Sequence, residues 1–216
     1  MVFFYITLFP LTFLLISSLL YKGSLKEKEA WENYFFGVLV AVPVFLLLLE
    51  FKGTPVPEEF SMKRLYLHGF WNDHLLLLIF PVFFYGILSL FVPRYSIRSE
   101  ATDPFFPAMA FFFGFYTLIT ANDLLVYPFL NEFYILFILP VLRFSVVISV
   151  SLCFSTFGKL IGFKRYILLG ITILAIFFAP VGTMVYRLHY LGMTFIICAV
   201  LIIWDILALF LFSREN

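Results

Sequence analysis

The chain has 216 residues, of which 63% are hydrophobic and only 12% charged, with a mean hydropathy of +1.07 and a net charge of +1. A soluble domain carries about a quarter charged residues, so this composition argues against an ordinary soluble fold. The near-zero charge leaves no basic face for nucleic acid, and no nucleic-acid partner is expected.

Crossing a bilayer takes about 20 consecutive apolar residues in a helix. Seven runs meet that length, at 2–21, 34–51, 75–92, 105–126, 133–154, 166–186 and 191–212. The expected fold class is therefore an all-α polytopic membrane bundle of seven helices in one domain, 1–216, with the lipid bilayer as its first partner. The first run resembles a signal peptide in position only. No Lys or Arg precedes it, and no small-x-small cleavage site follows before Lys22, so it reads as a retained helix.

Orientation follows from Lys and Arg in the connections. One side holds nine of them: Lys22, Lys26, Lys28, Arg94, Arg98, Lys159, Lys164, Arg165 and Arg214. The other holds four, Lys52, Lys63, Arg64 and Arg187. The richer side is cytoplasmic by this rule, which puts the amino terminus outside and the carboxyl terminus inside. The expected location is a bacterial inner (cytoplasmic) membrane.

Pro10, Pro43, Pro81, Pro140 and Pro180 lie in five different spans, each 6 to 8 residues from the outer boundary of its run. At 1.5 Å per residue they form one layer roughly 9–12 Å below that boundary. Each proline lacks an N–H and frees the carbonyl four residues back, namely Ile6, Leu39, Leu77, Leu136 and Ile176. Those carbonyls need partners inside the bundle, and kinks at one depth predict a bundle that splays outward.

The longest connection, Lys52–Asp73, lies on the outer side with His68 and His74, and His189 precedes the last span on that side. Glu58-Glu59 and Phe70-x-x-x-His74 share residue types with the CPBP intramembrane proteases. In that family the motifs sit on separate embedded helices, whereas here they fall within one loop, so no activity is carried over. His68, Asp73, His74 and His189 are candidate metal ligands that share the outer face, with Glu58 and Glu59 near them. The two loop histidines lack the i,i+4 spacing that puts both imidazoles on one helical face, and zinc needs three or four convergent ligands. No metal and no cofactor are expected. A retinal pigment would need a lysine within a span, and every lysine lies in a connection. Cys153 and Cys198 fall inside apolar runs and read as small core residues.

Charge within the spans is scarce, and Arg143 stands out. It lies ten residues into the run 133–154, about 15 Å deep. A guanidinium there costs several kcal/mol by contested estimates of roughly 3 to above 10, and it persists only facing protein or water with a partner. Asp205, fourteen residues into its own run and about 21 Å deep, is the expected partner, with Asp123 the alternative. Tyr116, Thr120, Asp123 and Tyr127 fall at spacings of 4, 3 and 4, one helical face. Thr194, Cys198 and Asp205 share another. Ser145, Ser149 and Thr156 form a stripe about 160–200° around the helix from Arg143, so that helix is expected to touch protein on both sides.

Pro10 and Pro140, then Pro43 and Pro180, sit at like depths in the first and fifth and the second and sixth spans. Together with Ile87-Leu88-Ser89-Leu90-Phe91 against Ile206-Leu207-Ala208-Leu209-Phe210, this resembles the 3+1+3 layout of the SWEET sugar transporters. The leading functional expectation is a small-solute carrier with Arg143, Asp205, Asp123, Tyr116 and Thr120 as substrate-binding candidates and no catalytic residues. The rivals are a non-catalytic subunit of a larger membrane complex, packed against other membrane proteins, and a membrane enzyme with an outer His/Asp/Glu site.

Overall fold

The computed structural model describes residues 7–8, 10–12, 15, 26–52, 76–91, 105–126, 133, 137–158, 163–187 and 190–215. All the described segments are helical and none is a strand. After the helical residues between 7 and 15, the described residues form, in order, α1 Lys26–Lys52, α2 Phe80–Phe91, α3 Phe105–Val126, α4 Leu139–Gly158, α5 Phe163–Arg187 and α6 Leu191–Glu215. Among the described residues one apolar stretch, Ala30–Leu48 in α1, is long enough to cross a membrane. The stretches 76–89, 105–121, 139–154, 169–183 and 191–207 are apolar but shorter.

The prolines set several boundaries. Pro81 and Pro140 do not kink the middle of a regular helix, as the sequence suggests. Each stands at the second residue of its α-helix, behind a wider π-helical turn at 76–79 and 137–138. The reason is local: a proline has no N–H to give the carbonyl four residues back, so the regular α-helical pattern does not run through it. The widened turn in front accommodates the ring that would otherwise strike the carbonyl four residues back. Pro43 lies inside α1. The run 105–126 forms a helix with the boundaries that its hydropathy implies. The run 34–51 extends back to Lys26, because Lys26-Glu27-Lys28-Glu29-Ala30 are strong helix formers. Most of 2–21, and all of the loop 53–75, lie outside the described residues.

α3 is the central helix. Phe105, Ala108 to Phe113, Phe115, Tyr116, Ile119 and Thr120 are all buried, and a helix apolar on every side belongs inside. It packs most extensively on α1 and next on α4, with α2 also against it. α4, α5 and α6 all contact one another and form a three-helix unit.

Contact between α1 and α3 depends on two glycines. A Cβ on Gly37 would lie 2.0 Å from the Phe111 carbonyl oxygen, and one on Gly114 would lie 1.9 Å from that of Tyr34. The two backbones touch at both points, as residues without a side chain permit. A bridge of side chains closes the crossing. Thr117 Oγ1 donates to the Phe113 carbonyl at 2.8 Å. Its one proton is thereby used, so the Tyr34 hydroxyl donates to Thr117 Oγ1, also at 2.8 Å. Beside it, Tyr85 of α2 is enclosed by the rings of Phe111, Phe112 and Phe154 at 5.0, 5.7 and 4.8 Å.

Faces are distributed unevenly on α5 and α6. The inward residues of α6 include Thr194, Cys198, Leu201 and Asp205. Its outward residues include Ile196, 65% exposed, and Ile203, 59% exposed, with Phe195, Ile206 and Phe210. α5 repeats the pattern with Thr172 and Thr183 inside and Leu174, Phe177 and Phe178 outside.

Candidate functional site

Arg143 is in the second turn of α4 and only 6% exposed. Its side chain reaches toward α3. Nη1 donates to the Thr120 hydroxyl, and the guanidinium carbon sits 5.8 Å from the centre of the Tyr116 ring. Tyr116 precedes Thr120 by one helical turn, so both are presented to the same neighbour. Of the four residues that helical spacing puts on one face of α3, Tyr116 and Thr120 both meet Arg143, while the side chains of Asp123 and Tyr127 lie outside the described residues.

Tyr116 has a second contact that ties this seam to the proline layer. Its hydroxyl donates to the Leu77 carbonyl at 2.6 Å. Leu77 is four residues before Pro81, and its carbonyl is one of the five that proline frees. The site therefore includes a backbone repair: an aromatic side chain of α3 satisfies the acceptor orphaned in front of α2. Removing only the hydroxyl leaves that carbonyl without this donor, at about 1–3 kcal/mol for a buried group. Tyr116→Phe is expected to lower stability in detergent by an amount in that range. No loss from Tyr116→Phe would show that the hydroxyl contributes nothing.

The opposite side of α4 faces α6. The Ser145 hydroxyl donates to Asp205 Oδ1 at 3.1 Å, and Trp204 Nε1 donates to Ser149 Oγ at 3.2 Å. Here the structure corrects the expected pairing. Asp205, 8% exposed, takes its hydrogen bond from Ser145 and not from Arg143. Arg143 and Ser145 are two residues apart, about 200° around the helix, and α6 approaches on the serine side. Position along the two apolar runs made the Arg–Asp pair plausible, but azimuth rules it out. The serine stripe, which sequence reasoning assigned to close helix approach, carries the hydrogen bonds to α6. Its 4-residue spacing was the available signal.

The structure thus unites Arg143, Thr120 and Tyr116, and separates Asp205 from them across α4. The side chain of Asp123 lies outside the described residues, as do Asp73, His68, His74 and His189. Among the described residues no three His, Cys, Asp or Glu side chains converge in a way that could hold a metal ion. Cys153 and Cys198 are buried free thiols. No family model, no curated protein and no solved structure matches the chain.

Proposed function

We propose that the chain is a seven-span helical protein of a bacterial cytoplasmic membrane that carries a small anionic solute. Membrane residence is supported by the reversed faces of α5 and α6, which turn threonines and an aspartate inward and leucine, isoleucine and phenylalanine outward. Large exposed apolar faces are unusual in water-soluble proteins, and intramembrane polar residues turn toward the bundle. The carrier reading rests on one observation: a guanidinium buried between α3 and α4, oriented by the Thr120 hydroxyl and the Tyr116 ring. Five N–H donors in a planar fork suit carboxylate and phosphate groups.

Orientation has a direct check. With nine Lys and Arg on one side and four on the other, single cysteines placed near Lys26, Arg98 and Lys164 are expected to resist an impermeant thiol reagent in intact cells, while ones near Ser61 and Asn131 label. Labelling near Lys26 and Lys164 would invert the proposed topology.

Function is tested by reconstitution into proteoliposomes and measurement of anion flux, with Arg143→Gln expected to abolish it. A second reading, a subunit of a membrane assembly, draws on the broad apolar faces of α5 and α6, which suit a protein neighbour as well as lipid. Mild detergent extraction separates the two. A stoichiometric protein companion and no flux supports the subunit, and a lone active chain supports the carrier.

A further inference from the structure

We infer that Asp205 is a proton-binding site, a carboxyl that takes up and releases a proton inside the folded bundle. The assignment is separate from the Arg143 seam and stands whether or not the chain carries a solute.

Two helices build the site. Asp205 is on the inward face of α6 and 8% exposed. Facing it from α4 are Ser145 and Ser149, both fully buried and one helical turn apart. Hydroxyl side chains within helices commonly bond back to their own backbone. Ser89, Thr117, Ser151 and Thr194 all do so, at 2.6, 2.8, 2.7 and 3.1 Å. Ser145 instead gives its single proton to Asp205 Oδ1 at 3.1 Å. Ser149 accepts from the indole of Trp204, the residue before Asp205. The hydroxyls of this α4 face are thus turned toward α6 and its carboxyl.

The surroundings hold little charge to balance a carboxylate. α4 and α5 are the helices packed extensively on α6. The ionisable side chains of α4 are Arg143, which reaches Thr120 of α3 from the other side of the helix, and Cys153, a buried thiol about 12 Å along the axis from Ser145. α5 has none over 167–185. Its Lys164, Arg165 and Tyr166 lie in the first turn, and Tyr186 and Arg187 close the last. On α6 itself, Cys198 comes two turns earlier on the same face, and Arg214 and Glu215 follow nine and ten residues later, roughly 13–15 Å away along the axis. Asp123 of α3, whose side chain lies outside the described residues, shares by spacing the face that meets Arg143. Among the described residues, then, the hydrogen bond to Asp205 comes from a neutral hydroxyl, and no cationic side chain faces it from α4, α5 or α6.

A buried carboxylate with such company is costly, and neutralisation is the common way out. A hard metal cation would need about six oxygens. The oxygens offered here are those of Asp205, Ser145 and Ser149, while the carbonyls of regular helices are tied up in backbone bonds. A proton needs one oxygen. Buried carboxyls in membrane helices serve proton transfer in this way.

The test uses the full chain purified in detergent and dicyclohexylcarbodiimide, an apolar reagent that adds to a carboxyl in its protonated form. The acid proton passes to a carbodiimide nitrogen, the carboxyl oxygen bonds to the central carbon, and nothing leaves. Peptide mass mapping locates the adduct. Asp205 is expected to be labelled, increasingly so as pH falls from mildly alkaline to mildly acidic, and Asp205→Asn to lose that adduct. Ser145→Ala removes a donor that favours the charged form. The pH of half-labelling is expected to move up in that variant by about one unit, the equivalent of one hydrogen bond. If Asp205→Asn does not fold, the wild-type map and Ser145→Ala carry the test. Absence of the Asp205 adduct at every pH overturns the inference, as does labelling that does not vary with pH or an unmoved midpoint in Ser145→Ala. Protection by sodium chloride but not by choline chloride assigns the site to a metal cation and overturns it too. No flux enters these readouts, so a failed carrier assay leaves them standing, and a failed labelling experiment leaves the carrier reading standing.

Discussion

Replacing Gly114 by alanine is expected to lower the thermal stability of the purified protein sharply, although alanine is the better helix former. The propensity gain in a helix interior is about 1 kcal/mol. Against it stands a Cβ that would be built 1.9 Å from the Tyr34 carbonyl oxygen, a distance that no side-chain adjustment relieves, because the obstacle is backbone. α1 and α3 then have to separate along the crossing that also carries the Tyr34–Thr117 hydrogen bond. Overpacking typically costs about 1–3 kcal/mol, and the loss of that bond adds to it. Gly37→Ala is expected to act alike, since its Cβ would lie 2.0 Å from the Phe111 carbonyl oxygen. Gly86 and Gly170 supply the contrast: a Cβ on either meets nothing within 4 Å. Gly86→Ala and Gly170→Ala should be neutral or raise stability by up to about 1 kcal/mol. Melting curves of the four variants in one detergent decide the matter. Similar behaviour at all four positions would contradict the close crossing.

Double-mutant cycles around α4 are expected to split the buried polar groups into two independent pairs. Arg143→Met with Thr120→Val, and Ser145→Ala with Asp205→Asn, should each show coupling of about 0.5–3 kcal/mol, as groups in direct hydrogen-bond contact do. Interhelical hydrogen bonds in membranes average nearer the low end of that range. Arg143→Met with Asp205→Asn is expected to be additive within about 0.5 kcal/mol, because α4 stands between them. Recovery of stability in that last double variant, relative to Arg143→Met alone, would restore the direct Arg–Asp pair and refute the arrangement on α4. Single-variant losses measured beforehand keep each cycle interpretable, since coupling is the difference between the double variant and the sum of the singles.

Much of this protein was determined locally. Among the described residues the apolar runs are helical, because a helix satisfies its own backbone hydrogen bonds within one segment. The run 105–126 became α3 with matching ends. Spacing by 4 put Tyr116 and Thr120 on one face, since helical geometry alone decides which residues stack. Proline chemistry named the Leu77 carbonyl as needing a donor before any donor was known. The tertiary structure decided who the neighbours are. The donor proved to be Tyr116, 39 residues along the chain. Asp205 proved to belong to Ser145, 60 residues away, and not to Arg143. Pro81 and Pro140 proved to open regular helices behind a π turn. Depth along a helix can be counted from a sequence, but the direction from which another helix approaches cannot. That direction depends on contacts between distant segments, such as the α1–α3 crossing at Gly37 and Gly114, where two missing side chains let the backbones meet.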